Sequence, residues 1–169
     1  YATYHLQLRP GTNVALLNMM LYYIITNNCQ DQDFIDQRCE DYAGFKEEIL
    51  KLDMDEHERI TGVDKNLVQE AALSYANANA AMEFHGLGVT EHYQGTFTVQ
   101  LISDLAMITG NIGRPGCGVN PLRGQNNVQG AADMGAQPHQ GAGYMDVTNP
   151  EVNHRYNTFY KSDKVPMHV

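Results

Sequence analysis

The opening of the chain changes from an alternating pattern to a continuous apolar one. Residues 4–9 (YHLQLR) alternate apolar and polar side chains, which predicts a β-strand that ends at the following Pro-Gly pair. An apolar run, broken by one asparagine, then extends from Val14 to Ile25. It is too short to cross a bilayer and predicts a buried helix that begins near Asn13, with Thr12 as its N-terminal cap. The first unit is therefore predicted to be strand, tight turn and helix.

The middle of the chain is more polar, and its predicted helices are separated by a connector. A charged helix is predicted over residues 33–52, followed by a polar connector over residues 53–62. Asp64 is in position to cap the next helix. One face of that helix is an apolar stripe made by Leu67, Val68, Ala71, Ala72, Tyr75 and Ala76.

A second strand, turn and helix follow. Residues 80–86 (AAMEFHG) predict a short strand, residues 87–96 a glycine-bounded turn, and residues 96–109 a helix with Gly110 at its C-terminal cap. Strands that alternate with helices favour an α/β fold with Rossmann-like layers and mainly parallel strands. In such folds ligands bind beyond the carboxyl ends of strands and against helix N-termini, and both predicted turns lie at such ends.

The regular pattern stops between Gly110 and Tyr144, where nine of the chain's fifteen glycines lie. A loop of this length in a compact domain is usually functional or disordered, and its low charge and many amides favour order around a ligand. We therefore expect an α/β ligand-binding region over residues 1–110, a long Gly-rich loop facing the ligand over residues 111–145, and a C-terminal extension over residues 146–169.

The charge of the chain is acidic and unevenly distributed. There are 11 Lys+Arg and 20 Asp+Glu, a formal net charge of -9. Residues 31–70 alone hold 13 acidic and 5 basic residues, which is typical of solvated helix surfaces. This balance argues against a protein that binds nucleic acid by general attraction to phosphates. The three cysteines are too widely spaced for a CxxC pair and are interpreted as free thiols in a reducing compartment.

The sequence RPGT at residues 9–12 is a candidate anion site. Backbone N–H groups at a helix start, with the Thr12 hydroxyl and Arg9 nearby, suit a phosphate or carboxylate. A plain strand-to-helix turn explains the same residues. The segment matches neither the dinucleotide-binding GxGxxG pattern nor a P-loop, so those two functions are not indicated.

Residues 86–96 form a second candidate turn, in which three glycines permit a close backbone approach. Its polar side chains are those of Thr90, Glu91, His92 and Gln94. His92 lacks companions at the spacing of metal ligands, so a hydrogen-bonding or exposed histidine is favoured over a metal ligand.

Arg123 is the only arginine or lysine between residues 114 and 155. A lone arginine on a glycine-bounded loop suits a carboxylate or phosphate, because its planar guanidinium can bind two oxygens at once. The amides of Gln125, Asn126, Asn127 and Gln129 both donate and accept, which suits a heterocycle or a diphosphate. A structural pairing of Arg123 with Asp133 or with a backbone carbonyl explains the arginine equally well.

Three blocks of the sequence carry a family resemblance. They are HLQLRPGTNVALLN at residues 5–18, GVTEHYQGT at residues 88–96 and TGNIGRPGCGVNPLRGQNNVQGAADMGAQP at residues 109–138. Together they resemble the catalytic subunit of molybdenum- or tungsten-dependent formate dehydrogenases, in the dimethyl-sulfoxide-reductase superfamily. The likeness extends from Tyr4 to about Tyr160, and the RGQNN block separates formate dehydrogenases from related periplasmic nitrate reductases.

The resemblance implies molybdenum or tungsten held by two molybdopterin guanine dinucleotides, with a cysteine or selenocysteine ligand and a 4Fe-4S cluster carried by other parts of the subunit. The implied reaction is the oxidation of formate to carbon dioxide. Arg123 matches the family arginine that holds the formate carboxylate, and this chain supplies no metal ligand. Cofactor contacts are implied for Pro10, Gly11, Thr12, Asn13, Leu87, Gly88, Val89, Thr90, Glu91, His92, Gly124, Gln125, Asn126 and Asn127.

Two positions depart from the family pattern. Asn13 stands where the family often has aspartate, which weakens a preference for the N–H edge of guanine. Glu91 stands where glutamine is frequent, and its carboxylate repels a pyrophosphate unless it is turned away.

The chain begins with Tyr and has no cluster of cysteines, so we expect an internal segment of a longer subunit. Expected partners are formate and carbon dioxide, the rest of the catalytic subunit, and iron–sulfur or diaphorase electron-transfer subunits, without nucleic acid or membrane contact by this segment. A cytoplasmic location is expected, with a periplasmic full enzyme as the alternative. The alternative functions are a non-catalytic nucleotide-binding or scaffold module and another molybdopterin oxidoreductase such as a nitrate reductase.

Overall fold

The computed structural model describes residues 1–165 and divides the chain into two compact units, Tyr1–Leu122 and a second that begins at Arg123. The first unit contains α1 (Asn13–Thr26), α2 (Gln32–Arg38), α3 (Tyr42–Leu50), α4 (Met54–Thr61), α5 (Lys65–Ala76), β1 (Met82–His85), α6 (Leu87–Thr90), α7 (Gly95–Ile108) and β2 (Gly118–Pro121). The second contains α8 (Val128–Asp133), β3 (Gln140–Gly141), a short 3-10 helix (Ala142–Tyr144), β4 (Met145–Asp146) and α9 (Pro150–Tyr160).

Helix α1 is the centre of the core of the first unit. It packs against α3, α4, α5 and α7. Met19, Leu21 and Ile24 are fully buried, and each such side chain contributes about 1.5–3 kcal/mol relative to its exposed state. The continuous apolar run of the sequence therefore has the predicted structure, a helix covered on most sides.

Three helices of the first unit begin with aspartate caps. The side chains of Asp31, Asp53 and Asp64 accept hydrogen bonds from the first-turn N–H groups of α2, α4 and α5. The predicted cap of α5 at Asp64 is confirmed. Gly110 follows α7 with a φ of +64°, and its N–H donates to the Met107 carbonyl, which confirms the predicted C-terminal glycine.

The strand predicted over residues 4–9 is absent, so the prediction of two matching strand, turn and helix units is wrong. Leu6 and Leu8 do pack against the core while the residues between them are exposed, so the alternation in burial is real. The segment has no neighbouring strand, however. Its backbone bonds are a local one, Leu8 to the Leu6 carbonyl, and one from Arg9 to the Thr61 carbonyl at the end of α4.

Residues 33–62 also differ from their prediction. The single charged helix is two helices, α2 and α3, because the chain turns at Asp41, which has a φ of +51°. The predicted connector over residues 53–62 is wrong, since α4 occupies most of it. Asp53 caps α4. The acidic Asp55 and Glu56 in its first turn interact favourably with the positive end of the helix dipole and so stabilise the helix start.

Strands β1 and β2 form a two-stranded parallel sheet, in which Met82 pairs with Gly118 and His85 with Pro121. The chain is therefore a mixed α/β protein with parallel pairing, as predicted at that level. Met82 and Phe84 on one face of β1 are exposed at 49% and 61%, whereas Glu83 and His85 face inward. Apolar side chains usually face inward and polar ones outward, so this strand has the opposite arrangement and leaves an apolar face of the sheet uncovered.

The prediction that residues 110–144 lack regular structure is wrong in part. The segment contains β2 and α8 and the start of a small antiparallel pair, β3 with β4. The boundary between the two compact units falls inside this segment, between Leu122 and Arg123. Within the part of the chain that the structure describes, no helix combines the length and apolar character needed to span a bilayer.

Candidate functional site

The N-terminus of α1 opens without a side-chain cap. Thr12 occupies the cap position, but its Oγ1 donates to the Arg9 carbonyl at 2.7 Å. Its φ of -108° and ψ of 20° lie outside the extended conformation from which a hydroxyl reaches the first-turn N–H groups. The prediction that Thr12 caps α1 is therefore wrong. The N–H groups of residues 13–15 have no hydrogen-bond partner among the described residues.

Arg9 also has a different role from the one predicted. Its guanidinium donates to the Arg59 carbonyl and, at 3.3 Å, to the Ile60 carbonyl, so it binds the negative end of α4. A Cβ on Gly62 would lie 3.1 Å from the guanidinium carbon of Arg9, and Gly62 has a φ of +73°. Arg9 is therefore a structural residue and does not contribute to an anion site at α1.

The N-terminus of α7 is open in the same way. Gln94 occupies its cap position and makes no side-chain bond to the first turn. The N–H of Gly95 donates to the His92 carbonyl at 2.9 Å, and a Cβ on Gly95 would lie 2.2 Å from the Thr90 carbonyl oxygen. Neither α1 nor α7 has an acidic residue in its first turn, so no carboxylate offsets the positive end of either helix dipole there.

The two open helix ends line one small cavity. Its lining residues are Gly11, Asn13, His92, Tyr93, Gln94 and Thr98. The volume is about 110 Å³, which holds a phosphate-sized group or a few water molecules at roughly 30 Å³ each. Converging helix N-termini of this kind favour an anion. Packing of α1 on α7 thus brings together Gly11, Asn13 and His92, which are far apart in the sequence.

The remaining predicted residues of the first unit do not line this cavity. Pro10 and Thr12 belong to the turn before α1, and Leu87–Thr90 form the four-residue helix α6, which packs on α7. The predicted turn at residues 87–96 is thus helical in its first part. A Cβ on Gly88 or on Gly11 would meet no atom within 4 Å, so both glycines leave open space in front of the backbone. Glu91 is exposed.

Arg123 and the four residues that follow it are all exposed. Within the described part of the chain Arg123 makes no ion pair and no hydrogen bond. The alternative pairing with Asp133 is not present, because that carboxylate accepts from Gln129 at 2.9 Å and from Tyr144 at 2.5 Å. Asn127, with a φ of +54°, caps α8 by accepting from the Gly130 N–H at 3.2 Å. The guanidinium of Arg123 is therefore available to a ligand.

Sequence reasoning missed a buried polar pair on β1. Tyr75 donates to Glu83 Oε1 at 2.6 Å, and burial raises the pKa of Glu83 to about 7, against a smaller lowering by Tyr75. Glu83 Oε2 and His85 Nδ1 are buried without a hydrogen-bond partner among the described residues. The sequence signal that could have revealed this pair is the alternation in MEFH, because alternate strand residues share a face and Glu83 and His85 therefore lie on the same one.

Among residues 1–165, no three His, Cys, Asp or Glu side chains come together in a group that holds a metal ion. Cys29, Cys39 and Cys117 are free thiols.

Comparisons with known proteins give the family. The family model for molybdopterin oxidoreductases matches residues 1–166. Formate dehydrogenase H of Escherichia coli is 41% identical over 99% of this chain, which corresponds to 24% of that protein. A formate dehydrogenase alpha subunit of Methanocaldococcus jannaschii is 50% identical over 85% of this chain and 21% of that protein. The chain thus spans a quarter or less of the length of these curated relatives.

Structural comparison agrees at the level of the fold. Acetylene hydratase from Pelobacter acetylenicus matches with a TM-score of 0.64 over 68% of this chain and 16% of that one, at 24% identity. A likeness at this identity concerns the fold alone. Because the family model matches nearly the whole sequence, the chain belongs to the molybdopterin oxidoreductase family.

Proposed function

We propose that this chain is part of the catalytic subunit of a formate dehydrogenase, in which it lines the cofactor and formate pockets. The reaction is the two-electron oxidation of formate to carbon dioxide. The observation that carries the proposal is the unpaired, exposed guanidinium of Arg123 within an RGQNN block, in a chain that is 41% identical to formate dehydrogenase H over 99% of its length.

The described residues fit a phosphate-bearing cofactor. The starts of α1 and α7 both lack side-chain caps and first-turn acidic residues, and both line the same cavity. The open space before Gly11 and Gly88 allows a large group to approach the backbone. The acidic net charge of the chain does not oppose this, since local dipoles set the potential at the cavity.

The proposed cofactor is a pair of molybdopterin guanine dinucleotides that hold molybdenum or tungsten. When bound, this group supplies the two-electron redox chemistry, and electrons leave through a 4Fe-4S cluster in other parts of the subunit. Residues 10–13 and 87–92 are proposed to bind the cofactor in the first unit. Gly124, Gln125, Asn126 and Asn127 are proposed as further cofactor-binding residues.

Arg123 is proposed to bind the substrate. The planar fork of its guanidinium matches the two oxygens of a carboxylate. It would orient formate and neutralise its charge as the C–H bond breaks, and Gln125 is proposed to line the same pocket. The chemistry at the metal is outside these residues, whose work is binding and orientation.

The experiment is formate turnover by the full-length, cofactor-loaded subunit that carries Arg123→Ala. We expect kcat/KM for formate to fall by roughly 100-fold or more, the cost of one well-placed donor to a reacting anion. Arg123→Lys keeps the positive charge but loses the guanidinium fork, so its kcat/KM should lie between those of the wild type and Arg123→Ala. Arg155→Ala is the matched control, because Arg155 is also exposed and makes no ion pair within the described residues. Near-normal kcat and KM in Arg123→Ala, at equal metal content, would overturn the assignment.

A finer account of the fold also belongs to this proposal. We propose that the β1–β2 pair is part of a larger, Rossmann-like layer, and that other segments of the subunit cover its second face. The exposure of Met82 and Phe84 supports this, because apolar strand faces are usually buried. Electron-transfer subunits of the iron–sulfur or diaphorase type are the proposed partners, and the cytoplasm is the proposed location.

A further inference from the structure

Three side chains of the second unit share one hydrogen-bond network. Gln129 Nε2 donates to Asp133 Oδ1 at 2.9 Å and to the Tyr144 hydroxyl at 2.6 Å. The Tyr144 hydroxyl donates to the same carboxylate oxygen at 2.5 Å. Gln129 and Asp133 lie one turn apart on α8, whereas Tyr144 ends the 3-10 helix that packs against α8. We call these three residues the α8 clamp.

Tyr144 is held in an unfavourable backbone conformation. Its φ is +61°, in the left-handed region that bulky residues rarely adopt, and the preceding Gly143 has a φ of +72°. Such conformations persist where the surrounding structure stabilises them, and they concentrate at functional sites. The hydrogen bond from Tyr144 holds the pKa of Asp133 below its usual range, so the acceptor is a carboxylate at neutral pH.

Helix α8 depends on such support because it is short. It has six residues, one of them Gly130, and a helix of this length is not stable alone in water. A Cβ on Gly130 would lie 2.4 Å from Asn127 Oδ1, so the cap packs directly on the helix. Beyond the other end, a Cβ on Gly135 would lie 2.5 Å from the Ala142 nitrogen, so the backbone is also closely packed there.

The N-terminal cap of α8 is the last residue of the RGQNN block. Arg123, Gln125 and Asn126 make no side-chain hydrogen bond within the described residues, so their own contacts do not fix their direction. The next residue along the chain, Asn127, does make a side-chain bond, since it accepts from the Gly130 N–H of α8. The α8 clamp is thus the nearest network that can orient the block.

We propose that Tyr144 and Asp133 are positioning residues, which hold α8 so that Arg123 meets the formate carboxylate in a productive orientation. This inference rests on the proposed function of Arg123. In this proposal neither Tyr144 nor Asp133 contacts the substrate. Their loss should therefore weaken formate binding and loosen residues 123–134, with the chemical step less affected.

The test uses the full-length, cofactor-loaded subunit with Tyr144→Phe, Asp133→Ala and the double variant. We expect the KM for formate to rise by roughly 3- to 10-fold in each single variant, with a smaller change in kcat, because each removes two hydrogen bonds of one exposed network that includes a carboxylate. The double variant should be no worse than the worse single variant, since both act through one network. Asp133→Asn, which keeps an acceptor oxygen, should be milder than Asp133→Ala.

The second readout is amide hydrogen exchange, which does not depend on turnover. Exchange over residues 123–134 should accelerate in Tyr144→Phe and not in Tyr160→Phe. Tyr160 is the matched control, because its exposed hydroxyl has no hydrogen bond within the described residues. Wild-type KM and wild-type exchange in Tyr144→Phe, or additive effects in the double variant, would overturn the inference.

The two proposals fail in different ways. Normal formate kinetics in Arg123→Ala contradict the proposed function, whereas the exchange result still decides whether Tyr144 holds residues 123–134. A normal Tyr144→Phe beside an impaired Arg123→Ala contradicts only the role of the clamp. If Tyr144→Phe fails to fold, the contrast between Asp133→Asn and Asp133→Ala gives the same decision.

Discussion

Tyr75 on α5 and Glu83 on β1 are joined by a hydrogen bond of 2.6 Å, in which the phenol donates to a largely buried carboxyl. The second oxygen of Glu83 has no partner among the described residues. Burial raises the pKa of Glu83 from 4.5 to about 7, and the bond from Tyr75 lowers it in part. The helix layer and the parallel sheet of the first unit are therefore connected through a group that titrates near neutral pH.

The first prediction concerns stability and pH. Because the pKa of Glu83 is higher in the folded than in the unfolded protein, its contribution to stability is fully present below pH 4.5 and is lost as pH rises to about 7. We expect the free energy of unfolding of the wild type, relative to Glu83→Gln, to decrease over this window and to level off above it. Urea titrations of both proteins at several pH values measure the difference. Parallel pH profiles would contradict the prediction.

A second prediction separates the two causes of the shift. Tyr75→Phe removes the donor that stabilises the charged carboxylate, so the pKa of Glu83 should rise further. NMR titration of the Glu83 side-chain carboxyl carbon measures this pKa directly. Tyr22→Phe is a suitable control because Tyr22 lies on α1 and makes no side-chain bond to Glu83. An unchanged or lower pKa in Tyr75→Phe would show that the bond does not favour the ionised form.

The third prediction contrasts a true helix cap with an apparent one. Asp64 Oδ1 accepts from the N–H groups of Asn66 and Leu67 at 2.8 and 3.1 Å, so Asp64→Ala should cost about 1 kcal/mol of unfolding free energy. Thr12→Ala should cost less than about 0.5 kcal/mol, because the Thr12 hydroxyl bonds an exposed carbonyl outside the helix. Denaturant unfolding of the cofactor-free protein gives both values. Equal losses would mean that Thr12 caps α1 after all.

The fourth prediction uses two glycines of residues 86–96. A Cβ on Gly88 meets nothing within 4 Å, so Gly88→Ala should leave stability unchanged or raise it by about 0.5 kcal/mol, while it obstructs a cofactor that approaches the backbone. Gly95→Ala forces a Cβ against the Thr90 carbonyl and should destabilise the protein by about 1–3 kcal/mol.

Metal and guanine nucleotide content per purified subunit is the measurement for Gly88→Ala, with unfolding free energy measured beside it. We expect reduced cofactor content at unchanged stability. A full complement of cofactor in Gly88→Ala would remove α6 from the proposed cofactor site. A loss that appears only together with reduced stability would have no bearing on the site.

Local signals in the sequence were sufficient for several elements. The cap at Asp64, the glycine after α7 and the apolar run of α1 each act through neighbours a few residues away, so composition and spacing predict them. The missed helix α4 belongs to the same class. Asp53 followed by acidic residues is a helix start, but the polarity of residues 53–62 favoured a connector.

Other features depend on partners that are distant in sequence. The alternation over residues 4–9 predicts which side chains face the core, and Leu6 and Leu8 do face it, but a strand needs a neighbour to hydrogen-bond and none is adjacent. Strand β2 was missed because the strand with which it pairs, β1, is distant in sequence, with α7 between the two. The burial of Glu83 follows from the same long-range pairing.

By itself the sequence determined the family, the apolar helix at the centre, the aspartate cap of α5 and the isolation of Arg123 as a cation, because each of these is written in residue type and spacing. Only the tertiary structure decided that Arg9 binds the end of α4, that Gly11 and His92 share a cavity, and that Tyr144 donates to Asp133. The physical reason is that helix ends, buried carboxyls and side-chain networks acquire their chemistry from whatever packs beside them, and sequence separation does not reveal those neighbours.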